Sequence, residues 1–276
     1  MSKNKRSSPV NNFVLIRGGG DLATGVALRL HRSGIKVVIS ELAQPLAVRR
    51  TVSFSEAVYE GQHTVEGVTA RLIEASQLSA MSEADEISII IDPHADILFS
   101  FIFPAVIDAR LTKQPPAPLP VDVPLHIGLG PGFTAGSDCH AVIETRRSHT
   151  LGRVYWTGTT QPDSGEPEGD PRRVLRAPQD GVVIGYKKIG EHVNEGDVIA
   201  VFSGQYSVVS PFAGVLRGLI RDGLHVTKGV KIGDIDARED ADASACYQVS
   251  DKALAIGGAV LEAILSKREI RTQLFS

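Results

Sequence analysis

Between Ile127 and Val154 the chain reads IGLGPGFTAGSDCHAVIETRRSHTLGRV, a glycine-rich stretch that also carries Asp138, Cys139, His140, Glu144, Arg146, Arg147 and His149. A core segment would show periodic apolar residues, whereas this one has the composition of a site. Small residues let backbones approach closely, imidazoles and acids move protons, and paired guanidinium groups bind anions. Cys139 beside His140 is a candidate nucleophile if the imidazole favours the thiolate. Asp138, His140 and Glu144 are candidate acid and base groups, or equally a polar network bracing the glycine turn. No residue order here reproduces a hydrolase triad, and no metal site is expected.

These residues need a scaffold, and the N-terminal third suggests one. Phe13 to Arg17 is an apolar run that ends at Gly18, Gly19 and Gly20. Leu22, Val26 and Leu30 follow at four-residue spacing, and a second apolar run, Ile35 to Ser40, ends in Glu41. This predicts strand, tight turn, helix and strand. The turn fits G-x-G-x-x-A as Gly18, Gly20 and Ala23, with Glu41 lying 21 residues beyond Gly20, near the spacing at which an acid meets a ribose hydroxyl in a dinucleotide fold. Backbone N–H groups there suit a phosphate, but the Asp21 carboxylate in the first helical turn repels one. The alternative is a turn whose glycines serve helix packing alone. Arg49 and Arg50 read as solvated charges or as a second phosphate contact. Ile87 to Ile91 and Ala105 to Ile107 read as further buried strands, ending in Asp92 and Asp108 at the edge where open parallel sheets bind ligands; His94 reads as a turn residue.

Composition narrows the class. With 276 residues, 42% hydrophobic and 22% charged, the chain can build one large or two ordinary cores. A net charge of -3 argues against broad nucleic-acid binding. Two cysteines, Cys139 and Cys246, form no disulfide framework. The opening MSKNKRSSPVNN has no apolar run behind it, and the most apolar stretch, Ile87 to Ile107, is interrupted by Asp92, His94 and Asp96, so no membrane span and a cytoplasmic location are expected.

Proline-rich KQPPAPLPVDVP, residues 113–124, reads as an extended connector, and GTTQPDSGEPEGDPRR as a hinge. Beyond it, residues 177–202 align without gaps on 210–235 at an offset of 33, matching Pro178/Pro211, Gly181/Gly214, Gly190/Gly223, His192/His225 and Gly196/Gly229. Such doubling predicts two interlocked β-hairpin layers. The pattern resembles the biotinyl/lipoyl hammerhead (barrel-sandwich) family. The lysine that carries the cofactor in that family has no counterpart in Ser203-Gly204-Gln205-Tyr206-Ser207, so no covalent biotin or lipoate is expected. His192 and His225 read as turn or surface residues. Ser250 is a helix cap before Ala253 to Leu265, whose Gly257-Gly258 predicts close packing against another backbone. The resulting expectation is an α/β chain. It has a Rossmann-like parallel-sheet domain over 1–157, a linker over 158–173, a biotinyl/lipoyl-like β domain over 174–240 and a C-terminal helix in 241–276.

Taken together, IRGGGDLATGVALRL, GLGPGFTAGSDCHAVIETRRSHTLGRV, the lysine-less repeat and SDKALAIGGAVLEAIL resemble the YqeB-type accessory proteins of selenium-dependent molybdenum hydroxylase systems. The resemblance runs through nearly the whole chain and implies a role like that of XdhC-type factors, which prepare the molybdenum cofactor. It departs from the pattern at Gly19 and Ser137, where Ala and an acid are expected, and at Ser148, where Gly is expected. It implies a nucleotide or molybdopterin-type ligand on the Gly18–Gly20 amides, neutralised by Arg146 or Arg147. Cys139 is then the candidate for sulfur or selenium handling, and a hydroxylase or its maturation machinery is the partner. A homo-oligomer is compatible with this reading. Two others stay open: an NAD(P)-dependent oxidoreductase using Glu41 for the ribose and His140 or His149 as proton donor, and a non-catalytic nucleotide-sensing adaptor.

Overall fold

The computed structural model describes residues 12–78, 85–165, 169–238 and 241–276; the basic N-terminal stretch before residue 12 and hinge residues 166–168 lie outside them. The apolar run Phe13–Arg17 forms β1 in the middle of a nine-stranded sheet. Its Val14 and Ile16 enter one core while Phe13 and Leu15 enter another on the opposite face, as a strand covered on both sides requires. The chain continues as α1 (Asp21–Arg32), β2 (Lys36–Glu41), the one-turn α2 (Ala57–Glu60), β3 (Gln62–Val65), β4 (Val68–Leu72), β5 (Ile87–Ile91), the one-turn α3 (Ile97–Ser100) and β6 (Ala105–Asp108). Then come β7 (His126–Leu129), β8 (Thr134–Ala135), β9 (Ala141–Ile143), β10 (Val154–Tyr155) and β11 (Gly158–Thr159). The sheet order is β10-β9-β7-β6-β1-β2-β5-β4-β3, and β8 and β11 pair separately. Its seven inner strands run parallel, and the edge strands β10 and β3 are antiparallel to their neighbours.

A second, all-β lobe follows: β12 (Val174–Arg176), β13 (Gly181–Gly185), β14 (His192–Val193), β15 (Val198–Phe202), β16 (Tyr206–Val209), β17 (Gly214–Leu219), β18 (His225–Val226) and β19 (Lys231–Asp236). They make two four-stranded sheets, β12-β19-β17-β14 and β16-β15-β13-β18. The 33-residue offset carries β13, β14 and β15 onto β17, β18 and β19. Their inward side chains, among them Val183, Phe202, Leu216 and Ile235, share one core. The chain ends in α4 (Asp251–Ser266) and α5 (Arg268–Leu274).

This architecture corrects the expected one. The large sheet is mixed, and among the described residues its second face carries the one-turn α3, through Ile97 and Leu98, and no α-helix of greater length. The β6-to-β7 crossover is the proline-rich connector, whose prolines forbid a helix and whose Leu119, Val121 and Val123 pack on the Phe13–Leu15 face. In place of an independent biotinyl/lipoyl hammerhead, the repeat builds a lobe stitched to the first. Arg50 Nε donates to the Leu219 carbonyl at 2.8 Å, Thr51 Oγ1 to the Cys246 carbonyl at 2.5 Å, and Arg221 pairs with Glu56. Glycine turns at a fixed offset specify hairpins; they do not specify which module the hairpins build. The C-terminal helix is likewise no appendage. Ala253, Ile256, Val260 and Ile264 of α4 belong to the same core as Val26, Ala27 and Leu30 of α1. Glycines permit the contact: a Cβ on Gly25 would lie 2.6 Å from Ala253, and one on Gly257 2.6 Å from the Gly25 carbonyl oxygen. No helix among the described residues is long and apolar enough to cross a membrane.

Candidate functional site

The first candidate, the glycine corner, is already filled. Gly18 turns with φ +91° and its N–H donates to the Ser40 carbonyl at 2.8 Å. The Gly19 N–H donates to Glu41 Oε2 at 2.6 Å, and the Leu42 N–H to Oε1 of the same carboxylate at 2.7 Å. Glu41 is buried; desolvation pushes its carboxyl above the usual range, and these two N–H donors oppose that shift. The chain thus supplies its own anion to the amide that a phosphate would use, and each oxygen of that carboxylate already accepts a backbone N–H. Ser55 N–H donates to the Gly19 carbonyl at 2.9 Å and Phe54 N–H to Thr24 Oγ1 at 2.9 Å, closing the turn from above. Ala23 is buried beneath it. Gly20 caps α1 without a side chain, and Asp21 faces Arg49 at 3.5 Å instead.

The mid-chain block does not converge on one point. Asp138 braces its own turn, accepting from Thr134 N–H at 2.8 Å. Cys139 is buried, donates to the Ala141 carbonyl at 3.2 Å, and has its thiol pushed up to about 11, chiefly by burial. His140 is exposed and its Nδ1 accepts from the His126 N–H at 2.9 Å. Glu144 is buried and accepts from the N–H groups of Arg146 and Gln161, each at 2.8 Å, so it ties the loop together. Arg146 and His149 are exposed. With a pKa near 11, on the order of one Cys139 thiol in a thousand is ionised at pH 8. Both cysteines are buried and unpaired, so Ellman's reagent should find no fast-reacting thiol in native protein and two after denaturation. Rapid native reaction that Cys139→Ser removes would contradict this placement.

The carboxylates ending the strands are structural as well. Asp92 accepts from the Asp96 and Ile97 N–H groups at 2.9 Å each, capping α3. Asp108, 1% exposed, is held between Arg17 Nη1 at 3.3 Å and Arg110 Nη2 at 2.6 Å.

What the structure does assemble is a cavity of about 1060 Å³ between the lobes. Both helix N-termini open on it, through Asp21 and Leu22 of α1 and Ser250, Asp251 and Lys252 of α4. Segment 46–49, Arg147, strands β17 and β19 and residue Phe212 complete the wall. Of the residues singled out from sequence, Asp21, Arg49, Arg147 and Ser250 line it, while the glycine corner and Cys139 do not. Arg147 clasps Asp251 through Nη1 at 2.7 Å and Nη2 at 2.6 Å, which holds that carboxyl far below its usual range. Asp234, 3% exposed, pairs with Arg173 and with Lys231 at 3.1 Å, and Arg238 pairs with Asp236 at 2.6 Å.

Two guanidinium groups in this wall are less well served. Arg49 is 7% exposed; its Nη2 donates to the Ala245 and Gln248 carbonyls at 3.4 and 3.2 Å, but buried Nε and Nη1 have no hydrogen-bond partner. Desolvation pulls its pKa down, and nearby Arg217 pulls it further, against Asp21 and Asp234. Half-buried Arg217 makes no hydrogen bond or ion pair among the described residues. Sequence reasoning left Arg49 between a solvated charge and a second phosphate contact, and passed over Arg217, Arg173, Lys231, Arg238 and Lys252. A signal existed: charges inside the otherwise apolar strands GVLRGL and KIGDID are out of place unless something polar faces them.

No family model matches the chain. It is 47% identical over 261 residues to the uncharacterised protein YqeB of Escherichia coli (strain K12), a match covering 92% of this chain and 48% of that protein. The chain therefore spans about half the length of the curated relative it matches. Similar solved structures include an aspartoacylase family protein from Mesorhizobium loti (12% identity, 84% of this chain and 87% of that chain, TM-score 0.27). Another is the apo ectoine utilization protein EutE (DoeB) from Ruegeria pomeroyi (10% identity, 80% and 85%, TM-score 0.25), and a third is a succinylglutamate desuccinylase from Silicibacter (13% identity, 82% and 86%, TM-score 0.24). Likeness this loose assigns no activity. The sequence match is of another order: over the half of that relative which it spans, the chain is similar to YqeB.

Proposed function

We propose that the chain is an accessory protein of a selenium-dependent molybdenum hydroxylase system, holding a nucleotide or molybdopterin-type ligand non-covalently in the cavity between its lobes for a partner hydroxylase. The observation that carries the reading is Arg49, whose buried Nε and Nη1 have no hydrogen-bond partner, beside the like-charged Arg217 in the same wall. A buried guanidinium with unsatisfied N–H donors is costly, and an anionic ligand that accepts from them removes the cost. The site moves with this reading: the glycine corner is supplied by Glu41 from within, and the ligand goes to the α1 and α4 N-termini. The buried Cys139 thiol and the loop-bracing Glu144 favour binding over group transfer. An NAD(P) oxidoreductase is less well supported, because Glu41 is buried and turned back onto the Gly19 and Leu42 N–H groups.

The test is maturation of the partner. A selenium-dependent hydroxylase isolated from cells lacking this protein should carry at least tenfold less molybdenum cofactor than one made with the wild-type chain, and Arg217→Glu should behave like the deletion. Full cofactor content without the protein would rule the reading out.

A further inference from the structure

The cavity wall also specifies the charge of its occupant. Its lining has seven Arg and Lys side chains against five Asp, an excess of two positive charges. Three of the clusters are internally matched: Arg147 with Asp251, Arg238 with Asp236, and Arg173 with Asp234. Among the described residues Arg49 has a close ion pair only with Asp21, at 3.5 Å, and Arg217 has no close ion pair, feeling Asp236 and Asp251 only at longer range. Asp21 and Asp251 sit in the first turns of α1 and α4, helices of 12 and 16 residues, so each already occupies a place where backbone N–H groups favour an anion.

We infer that the cavity binds a dianionic phosphate monoester, gripped by Arg49 and Arg217, with the Asp21 carboxylate as the internal counter-ion that the phosphate displaces from Arg49. Guanidinium groups match a terminal phosphate through paired N–H donors, and a dianion offsets more of the wall's positive excess than a monoanionic diester does. This rests on the reading above and sharpens it: the molybdopterin form that fits carries a free terminal phosphate, and a mononucleotide presents such a terminal dianion where NAD, whose two phosphates form an internal bridge, does not.

Calorimetric titration of the full chain at pH 7.5 tests it with three probes: inorganic phosphate, adenosine 5′-monophosphate and the 3′,5′-cyclic monophosphate, which keeps the base but is a monoanion. The open monophosphate should bind at least tenfold more tightly than the cyclic one. Arg217→Ala should weaken it at least tenfold, with partial recovery in Arg217→Lys. Because Arg49 is buried and its replacement endangers folding, Asp21→Asn is the second variant: removal of the competing carboxylate should tighten phosphate binding severalfold, whereas a merely structural Asp21 would leave it unchanged or weaker. Equal affinity for open and cyclic forms, no binding of any probe, or indifference to Arg217→Ala overturns the inference. If maturation depends on the chain while Arg217→Ala binds phosphate normally, the inference fails and the accessory role stands. If the phosphate responses hold while maturation ignores the chain, the role fails and the inference stands.

Discussion

Asp108→Ala should destabilise the protein by about 3–5 kcal/mol, the cost of stranding a buried charge. Asp108 is 1% exposed and is the counter-ion of both Arg17 and Arg110. Arg110, with its side chain one-third exposed, can turn to water when the carboxylate is lost. Arg17 cannot: its side chain is 6% exposed and keeps only the Pro93 carbonyl at 3.3 Å. Burial already pulls the Arg17 guanidinium below its ordinary value, with Asp108 the principal opposing influence. Urea denaturation of Asp108→Ala, Arg17→Met and the double variant measures the coupling. The double variant should be more stable than Asp108→Ala alone, since removing both partners strands neither. A single-variant loss below about 1 kcal/mol would show that the triad contributes nothing.

The second large effect is a pH dependence. His126 is 7% exposed, packs edge-on to Phe133, and has an Nε2 without a partner. Burial pushes its pKa from 6.5 down to about 4. The unfolded chain therefore binds more protons between these values, and stability falls as pH falls through that window. The contribution is fully present above pH 6.5 and gone below about 4, on the order of 3 kcal/mol over the whole range. Glu41 works in the opposite sense: its carboxyl is raised by burial, so the folded state is the better proton acceptor and acidification favours it. Comparison of wild type with His126→Phe across pH 4–7 isolates the histidine, and the variant should show a flatter profile. An unchanged slope would contradict the assignment.

How much of this was legible in the sequence depends on whether the signal was local. Phe13–Arg17, the helix from Asp21 and the strand ending in Glu41 were readable because apolar period and glycine turns act over a few residues. Ser250 as a cap was equally local, and Ala253 N–H donates to its Oγ at 3.2 Å. The 33-residue repeat was legible as hairpins but not as the lobe they form. The destination of Glu41 was not readable, since the spacing that suits a ribose acceptor also suits a carboxylate folded back onto Gly19. The cavity was the least legible feature. Asp21, Arg49, Arg147, Arg217 and Asp251 lie far apart along the chain and meet only because α4 returns to pack on α1 through Gly25 and Gly257. A dense polar block such as 134–149 draws attention in a sequence, yet much of it is spent bracing its own loop.

The account stands or falls on whether an anion occupies the wall formed by Arg49 and Arg217. Native mass spectrometry of the full chain, purified gently from its own cells, reads this directly. The expected spectrum has a phosphorus-containing small-molecule adduct on the wild-type chain and the bare chain mass for a folded Arg217→Glu variant. A bare wild-type chain, or an adduct that survives the charge reversal, would contradict the account.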